Sequence, residues 1–144
     1  MEKLVIRKLQ AGDALKIGNI CADITQTSVT EDFVQMLQER PLNKDDLSFV
    51  AEMDGEVVGY MISTIMSGIF GIKRSAWLST MGVAPAFMGR RIGEKLAGET
   101  FRVAKEAGLK DIYTSVQWDS PDLLSYFKTM GFDRSKFINL IKRF

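Results

Sequence analysis

The sequence predicts an α/β (α+β) fold in which a mixed, mostly antiparallel sheet carries helices on both faces. Apolar residues recur at helical spacing in several segments and at strand spacing in the segments between them. Asp54-Gly55 is a strong hairpin signal, so the strands on either side of it are expected to pair antiparallel. A later strand–helix–strand succession is typical of a crossover between parallel strands. The expected order is β-α-α-β-β-β-α-β-α-β, in a single domain over residues 1–144.

The N-terminal part of the chain predicts one strand and two helices. The strand is Lys3–Leu9, where apolar and charged residues alternate. Asp13 is expected to cap the first helix, whose inward stripe follows i, i+3, i+4, i+7 spacing. The members of this stripe are Ile17, Ile20, Cys21 and Ile24. Thr30 is expected to cap the second helix, which ends before Pro41.

Three strands are predicted in the middle of the chain. They cover Leu47–Met53, Glu56–Met66 and Ala76–Val83, where apolar residues alternate or dominate. The connection Gly68–Arg74 joins the last two strands and combines glycines with apolar residues. It is either a hairpin loop without a role or part of the wall of a substrate cleft, because functional and ordinary loops look alike in one sequence.

The last third of the chain predicts helix, strand, helix and strand. A long amphipathic helix is expected from near Gly89 to Gly108, since a glycine favours a helix stop. A strand over Asp111–Trp118 follows it. A helix is expected over Ser120–Met130, because Ser, Pro and Asp in succession are typical of a helix start. Lys136–Arg143 is the last predicted strand.

Composition excludes several classes of function. The chain has no histidine, which removes Ser–His and Cys–His catalysis and most zinc sites, so no metal is expected. Its formal net charge of +1 argues against a nucleic-acid or membrane surface. The single cysteine, Cys21, lies on an apolar stripe and is expected to be an inert thiol. Because no segment resembles a membrane span or a signal-peptide core, a cytoplasmic protein is expected.

The start of the long helix is the most unusual stretch. Gly89, Arg90, Arg91, Ile92 and Gly93 bring two cations and two glycines to the expected first helical turn. Cations are disfavoured there because the free N–H groups already make that end positive. A bound phosphate or pyrophosphate would reverse the argument, and glycines would let it approach the backbone. The alternative interpretation is a pair of solvated arginines on an ordinary helix.

Four motifs in order resemble the GNAT superfamily of acyl-CoA-dependent N-acyltransferases. Met53–Gly59 is similar to its D-G-x-x-V-G hairpin, and Met81–Pro85 to the end of its fourth strand. Met88–Gly93 falls where that family has its pyrophosphate loop, Q/R-x-x-G-x-G/A. Ser125–Phe132 is similar to its closing helix and G-F terminus. The resemblance covers essentially the whole chain.

The resemblance implies acetyl-CoA as co-substrate and transfer of an acetyl or other short acyl group to a primary amine, which attacks directly in a ternary complex. A bulge would splay the fourth strand from the fifth, so that the pantetheine arm bonds the backbone of Met81, Gly82 and Val83. The Val83 N–H would hold the developing oxyanion. The further cofactor-binding residues implied are Met88, Gly89, Arg90, Arg91, Ile92, Gly93 and Phe127.

The pyrophosphate loop departs from the family pattern at two positions. Met88 stands where Gln or Arg is usual, and Arg91 stands where the first glycine of the motif is usual. Arg91 either clamps a phosphate as a charged donor or crowds the loop. The sequence favours retained binding, because Gly89 and Gly93 remain and the arginines add charge.

The catalytic positions also depart from the family. Its frequent tyrosine acid aligns with Phe127, so Tyr126 and Ser120 are the catalytic candidates that remain. Tyr126 is one residue away, which turns a helical side chain by about 100°. Ser79 and Thr80 replace the usual carboxylate base. Glu52 is either a substitute base or a solvated strand residue.

The acceptor site is expected at the first two helices and the loop before the fourth strand. Its candidate residues are Glu31, Phe33 and Phe70. This lining is mixed, and Glu31 and Asp32 are available to attract a cationic amine of a small molecule or peptide. The resemblance also allows a homodimer through sheet edges or C-terminal strands. Two alternatives are a catalytically weak acyl-CoA sensor or partner subunit, and a structural protein whose arginines meet an acidic protein surface.

Overall fold

The computed structural model describes residues 3–68, 71, 73–117 and 119–144. These residues divide into two compact units, an N-terminal unit of residues 1–114 and a C-terminal unit of residues 115–144. The expectation of a single domain stays a prediction.

The described residues of the N-terminal unit form a five-stranded sheet in the order β1-β2-β3-β4-β5. Its strands are β1 (Leu4–Lys8), β2 (Phe49–Met53), β3 (Glu56–Ser67), β4 (Arg74–Val83) and β5 (Ile112–Tyr113). The first four pair antiparallel in sequence order, and β5 pairs parallel to β4. The Asp54-Gly55 hairpin forms as expected, with both residues at positive φ. The predicted mixed, mostly antiparallel sheet is confirmed.

Helices cover both faces of this sheet. Helices α1 (Ala14–Thr25) and α2 (Glu31–Glu39) precede β2, and α3 (Ile92–Glu106) follows β4. The first two enclose one core cluster with the β3 side chains Tyr60 and Ile62. On the opposite face, α3 packs on Gly59 and Met61, since alternate residues of a strand point to opposite sides.

The Thr30 cap of α2 is confirmed, because its side chain accepts a hydrogen bond from the Phe33 N–H at 3.2 Å. The prediction that the Asp13 side chain caps α1 is wrong. Asp13 precedes α1, but its carboxylate accepts from the Gln10 N–H at 2.8 Å and from the Arg7 guanidinium at 2.8 and 2.9 Å. It therefore closes the turn before the helix, because a charged partner on β1 competes for the same oxygens.

Two predicted strands differ from the structure. The fifth strand is two residues long instead of Asp111–Trp118, and Trp118 lies outside the described residues. The strand predicted over Lys136–Arg143 does not form in the described chain. Its apolar side chains Ile138 and Leu140 are 78% and 87% exposed. An alternating apolar pattern predicts a strand only where a neighbour takes its peptide hydrogen bonds and covers one face.

Arg7 joins three segments of the N-terminal unit. Its guanidinium bonds Asp13, whose side chain is 8% exposed, and its Nε lies 2.8 Å from Glu52 on β2. Burial alone would raise the pKa of the Asp13 carboxyl, but hydrogen bonds from Arg7 and from the Gln10 N–H lower it below its ordinary value. The charged form of Asp13 therefore stabilises the fold.

Substitution Asp13→Asn is expected to lower the free energy of unfolding at pH 7 by about 1–3 kcal/mol, because Arg7 loses a charge-assisted partner. The pKa of the folded state is depressed, so this stabilisation is present above the unfolded pKa of roughly 3.9 and is lost as pH falls further. Urea unfolding at pH 7 and pH 3 measures both effects. Asp23→Asn, at an exposed position on α1, is the matched control. This account would be contradicted if the free energies of unfolding of wild type and Asp13→Asn differed as much at pH 3 as at pH 7.

Candidate functional site

The C-terminal half of β4 is hydrogen-bonded to the sheet on one side. The Ala84 N–H donates to Val58 O at 2.8 Å, and the register continues with Val83 opposite Gly59 and Gly82 opposite Tyr60. Antiparallel ladders alternate hydrogen-bonded and non-hydrogen-bonded pairs. The peptide groups of Gly82 therefore point toward β3, and those of Val83 and Met81 point toward the other edge of β4.

That other edge is open within the N-terminal unit. β5 pairs with β4 only through Ala76 and Trp77. The register of β4 against β3 then shifts at Ser79, which is a β-bulge. Beyond the paired residues, the Thr114 hydroxyl donates to Leu78 O at 3.1 Å in place of a backbone group. Among the described residues of this unit, β4 thus has no strand partner on this side from Ser79 to Val83, and the expected bulge is present.

Gly59 seats the start of α3 on the sheet. A Cβ at Gly59 would lie 3.2 Å from Ile92 Cγ2 and 3.3 Å from Leu96 Cδ1. The missing side chain lets the first turn of the helix approach the strand that pairs with Val83. The helix begins at Ile92, not near Gly89 as the sequence predicted, and Gly89, Arg90 and Arg91 form the turn before it.

This turn brings positive charge and free N–H groups together. The first N–H groups of α3, from Ile92 onward, have no carbonyl acceptor within the helix. The Arg91 side chain, at the cap position, does not accept a hydrogen bond from them. Arg90 lies over the Phe87 ring at 5.1 Å. Met88, Gly89 and both arginines are exposed. The geometry is that of an anion site at a helix N-terminus.

Arg91 has a strained backbone. Its φ and ψ angles are 61° and 23°, in the left-handed region that favours glycine. Gly89 also has positive φ, at 83°, and open space where its Cβ would stand. For an arginine, this conformation costs about 1–2 kcal/mol of conformational free energy. Residue 91 therefore has the backbone conformation that a glycine would favour, although the residue is an arginine.

Gly82 makes room for a buried tyrosine that the sequence analysis missed. A Cβ at Gly82 would lie 2.8 Å from Tyr60 Oη and 2.8 Å from Ile24 Cδ1. The phenol ring therefore lies over Gly82 on β4, beside Ile24 near the end of α1. A glycine inside a strand of large apolar residues was the available signal, because it often marks the close approach of another group.

The other predicted residues of the N-terminal unit are scattered. Glu52 is ion-paired with Arg7 at 2.8 Å, so it is neither a free base nor a solvated strand residue. Glu31 is exposed and lines a groove of about 600 Å³ on the outer side of α1 and α2. Phe33 is partly buried against the core cluster instead of lining that groove. Phe70 lies outside the described residues.

The C-terminal unit contains helix α4 (Pro121–Thr129) and three predicted residues. Ser120 is at the cap position of the helix, so the predicted helix start is confirmed, but its hydroxyl makes no capping hydrogen bond. Phe127 is 7% exposed and packs edge-on against Phe132 with ring centroids 5.3 Å apart. Tyr126 is partly buried and meets Phe127 edge-on at 5.8 Å. These contacts make Phe127 the anchor of the helix.

Two further properties concern membranes and metal ions. Within the described ranges, no helix combines the length and apolar character needed to cross a bilayer. In the same part of the chain, no three His, Cys, Asp or Glu side chains gather where they could share a metal ion.

Comparison with known proteins identifies a family. The sequence model described as "Acetyltransferase (GNAT) family" matches residues 16–132. A mycothiol acetyltransferase of Amycolatopsis mediterranei is 30% identical over 112 residues, which are 76% of this chain and 37% of that protein. An N-alpha-acetyltransferase of Sulfurisphaera tokodaii is 32% identical over 61% of this chain and 57% of its own length. The chain thus spans well under two thirds of these curated relatives.

Solved structures share the fold at low identity. An aminoglycoside N-acetyltransferase, AAC(6')-Iy, in complex with CoA superposes with a TM-score of 0.85 at 14% identity, covering 99% of this chain and 96% of that one. A transcriptional regulator from Bacillus halodurans superposes with a TM-score of 0.84 at 22% identity, covering 99% and 100%. At these identities the likeness shows the fold alone.

The strain at Arg91 is testable through stability. Arg91→Gly is expected to raise the free energy of unfolding by about 0.5–1 kcal/mol, because relief of the left-handed penalty exceeds the added freedom of the unfolded chain. Arg91→Ala removes the same charge but keeps a Cβ, so it is expected to leave stability nearly unchanged. Urea unfolding of both variants measures the difference. Equal stabilisation by Ala and Gly would assign the effect to the side chain and contradict the backbone argument.

Proposed function

The chain belongs to the acetyltransferase (GNAT) family, and from that premise we propose that it transfers an acetyl or other short acyl group from acetyl-CoA to a primary amine. The observation that carries the proposal is the open edge of β4 beside the N-terminus of α3. An extended ligand arm needs such an edge, and a pyrophosphate needs such a helix start.

The residues present fit both parts of coenzyme A. The peptide groups of Met81 and Val83 face the open edge, where the amide groups of a pantetheine arm can pair with them as an added strand would. Gly89 leaves open space over the loop, and the N–H groups of Ile92 and Gly93 are available to phosphate oxygens. We assign Arg91 the role of a phosphate clamp. Its guanidinium would donate charged hydrogen bonds to the phosphate, which the Met88 side chain, in the place of the usual Gln or Arg, cannot donate. A role for Phe127 beside the cofactor is part of the same proposal.

Acetyl-CoA supplies an activated acyl group, because the carbonyl carbon of a thioester is electrophilic and a thiol is a good leaving group. The Val83 N–H would donate to the carbonyl oxygen as negative charge develops on it. Ser79 and Thr80 are too weakly basic to take a proton from an ammonium group, so the amine must arrive neutral. Tyr126 and Ser120 are the proposed donors to the leaving sulfur. Catalysis then depends mostly on positioning the two reactants.

The acceptor is proposed to be a small-molecule or peptide amine that first meets the protein at α1 and α2. Glu31 and Glu39 line the groove there and would attract a cationic amine before it loses its proton. Phe33 and Phe70 remain candidates to contact it. Structural neighbours were solved with sisomicin and with a bisubstrate analog of CoA and an acetylneamine, which agrees with an amine acceptor. A homodimer and a cytoplasmic location also stay predictions.

A second candidate is a sensor or partner subunit that binds acyl-CoA without useful turnover. The specific observation in its favour is Phe127, which occupies the position of the usual acid, has no hydroxyl and is buried as a packing residue. Substitution Phe127→Tyr that sharply raises turnover would favour a weakened enzyme over a sensor.

Calorimetric titration with acetyl-CoA tests the cofactor site. Wild type is expected to bind at micromolar concentration, and Arg91→Ala is expected to bind about tenfold more weakly, because loss of one charge-assisted contact costs roughly 1.4 kcal/mol. Desulfo-CoA, which cannot transfer an acyl group, is expected to show the same loss.

Arg74→Ala is the matched control, since Arg74 is an exposed arginine at the opposite end of β4. It is expected to leave affinity unchanged. Absence of binding at millimolar acetyl-CoA would overturn the proposed function. Tighter binding by Arg91→Gly than by wild type would overturn the clamp and show that Arg91 crowds the loop.

A further inference from the structure

The groove of about 600 Å³ on the outer side of α1 and α2 is lined in part by apolar side chains. Leu15, Val29 and Val34 contribute to it, and the first two are 62% and 36% exposed. A Cβ at Gly18 would lie 3.0 Å from Val29 Cγ1 and 3.4 Å from Val34 Cγ2, so this glycine lets both valines pack close to α1. Apolar side chains that are gathered in one groove favour a ligand that covers them.

The two ends of this groove are acidic. Glu31 and Glu39, the first and last residues of α2, both line it. Gln35 lies between them, and its Nε2 donates to Glu39 Oε1 at 3.1 Å. The spacing i, i+4, i+8 places these three side chains on successive turns along one side of the helix. The two glutamates are therefore about 12 Å apart along the helix axis.

No basic side chain neutralises these carboxylates within the part of the chain that the structure describes. Helix α2 has acidic residues in its first turn and at its end, and it has no basic residue. The neighbouring cations are paired elsewhere, since Lys16 Nζ lies 2.7 Å from Glu56 and Arg40 Nε lies 3.0 Å from Asp46. The groove is thus complementary in charge to a cationic ligand.

The spacing of these features matches an extended peptide. An extended chain rises about 3.3 Å per residue and points residues i, i+2 and i+4 to one face. In the pattern basic-x-apolar-x-basic, the two cations are about 13 Å apart on the face that carries the apolar residue. The cations then meet Glu31 and Glu39, and the apolar residue meets Val34 between them. Gln35 and Gln38 also line the groove and can bond peptide groups, which a polyamine lacks.

The groove lies on the helix pair that packs beside the open edge of β4. Residues 26–30 connect α1 to α2, so the start of α2 at Glu31 follows closely on the end of α1. In the last turn of α1, Ile24 Cδ1 lies 2.8 Å from the position that a Cβ of Gly82 would occupy on β4. A ligand held in the groove is therefore held on the elements that meet the site.

We propose that this groove docks the acceptor of the transfer, and that the acceptor is a peptide or protein with an extended basic-x-apolar-x-basic segment. The inference rests on the proposed function, because it names the class of molecule whose amine receives the acyl group. The docked segment does not react. It raises the effective concentration of an amine that is joined to it by a linker.

Direct binding tests the docking without any transfer. The probe is a fluorescent peptide, N-acetylated Arg-Ser-Leu-Ser-Arg amide, which has no primary amine to be acetylated. The control peptide Arg-Leu-Ser-Ser-Arg, blocked in the same way, has the same composition but points its leucine to the opposite face of an extended chain. By fluorescence anisotropy, the probe is expected to bind about fivefold more tightly than the control peptide, and added salt is expected to weaken its binding.

Variants assign the binding to the groove. Leu15→Ser and the double variant Glu31→Gln, Glu39→Gln are each expected to weaken binding of the probe about fivefold, through lost apolar contact and lost ion pairs respectively. Asp32→Asn and Leu42→Ser are the matched controls, because both side chains are exposed and neither lines the groove. They are expected to bind the probe as wild type does.

Transfer is measured with two peptides that have a free N-terminal alanine, a flexible linker and one of the two segments. The peptide with the matching segment is expected to have a kcat/KM about tenfold higher, mainly through a lower KM, because docking contributes equally before and during the reaction. This gain is expected to disappear in Leu15→Ser, while the affinity of that variant for acetyl-CoA, measured by calorimetry, stays within about twofold of wild type.

The outcomes distinguish this inference from the proposed function. Equal binding of the two blocked peptides, or binding of spermidine as tight as that of the probe, would overturn the peptide and leave charge alone. Self-association of wild type that the double variant abolishes, without binding of the probe, would assign the groove to a second copy and also overturn it. Binding of acetyl-CoA with equal transfer to both alanyl peptides would overturn the docking role only. Absence of acetyl-CoA binding would be a failure of the proposed function itself.

Discussion

One-sided hydrogen bonding of β4 is the constraint on which the rest of the site depends. β3 takes the peptide groups of alternate β4 residues, and β5 follows β4 for two residues only. The bulge at Ser79 and the Thr114 side chain end that second pairing. Met81 and Val83 are consequently left with peptide groups facing away from the sheet, a costly arrangement unless water or a ligand takes their hydrogen bonds. A family that binds a pantetheine arm has a direct use for such an edge.

Two glycines bring the two faces of the sheet to this edge. On one face, Gly59 admits Ile92 and Leu96, which fixes where α3 begins. On the other, Gly82 admits Tyr60 and Ile24, which fixes the end of α1 over β4. The open edge of β4 therefore has a helix N-terminus on one side and a buried hydroxyl on the other.

The sequence predicted the fold class, the hairpin and the helices well because these depend on local patterns. Apolar periodicity and Asp54-Gly55 are properties of short segments. What it missed depends on long-range partners. The alternation in residues 136–143 matches a strand, but its side chains are exposed. Asp13 is a residue type typical of a helix cap, but its carboxylate accepts hydrogen bonds from Arg7 instead. Tyr60 gave no signal of its own, because Gly82 and Ile24, which lie beside its ring, come from other elements. The left-handed backbone of Arg91 also could not be predicted from the local sequence, since only the family motif marks that position as a glycine.

Amide hydrogen exchange of β4 tests the central claim most directly. With acetyl-CoA added to the protein, the N–H groups of Met81 and Val83 are predicted to become strongly protected from exchange in ¹⁵N-resolved NMR spectra. The Gly82 N–H, which already points toward β3, is predicted to change little. This alternation would show that the ligand pairs with the open edge as a strand. Unchanged exchange at Met81 and Val83 under saturating acetyl-CoA would contradict the account, because the edge would then have no part in binding.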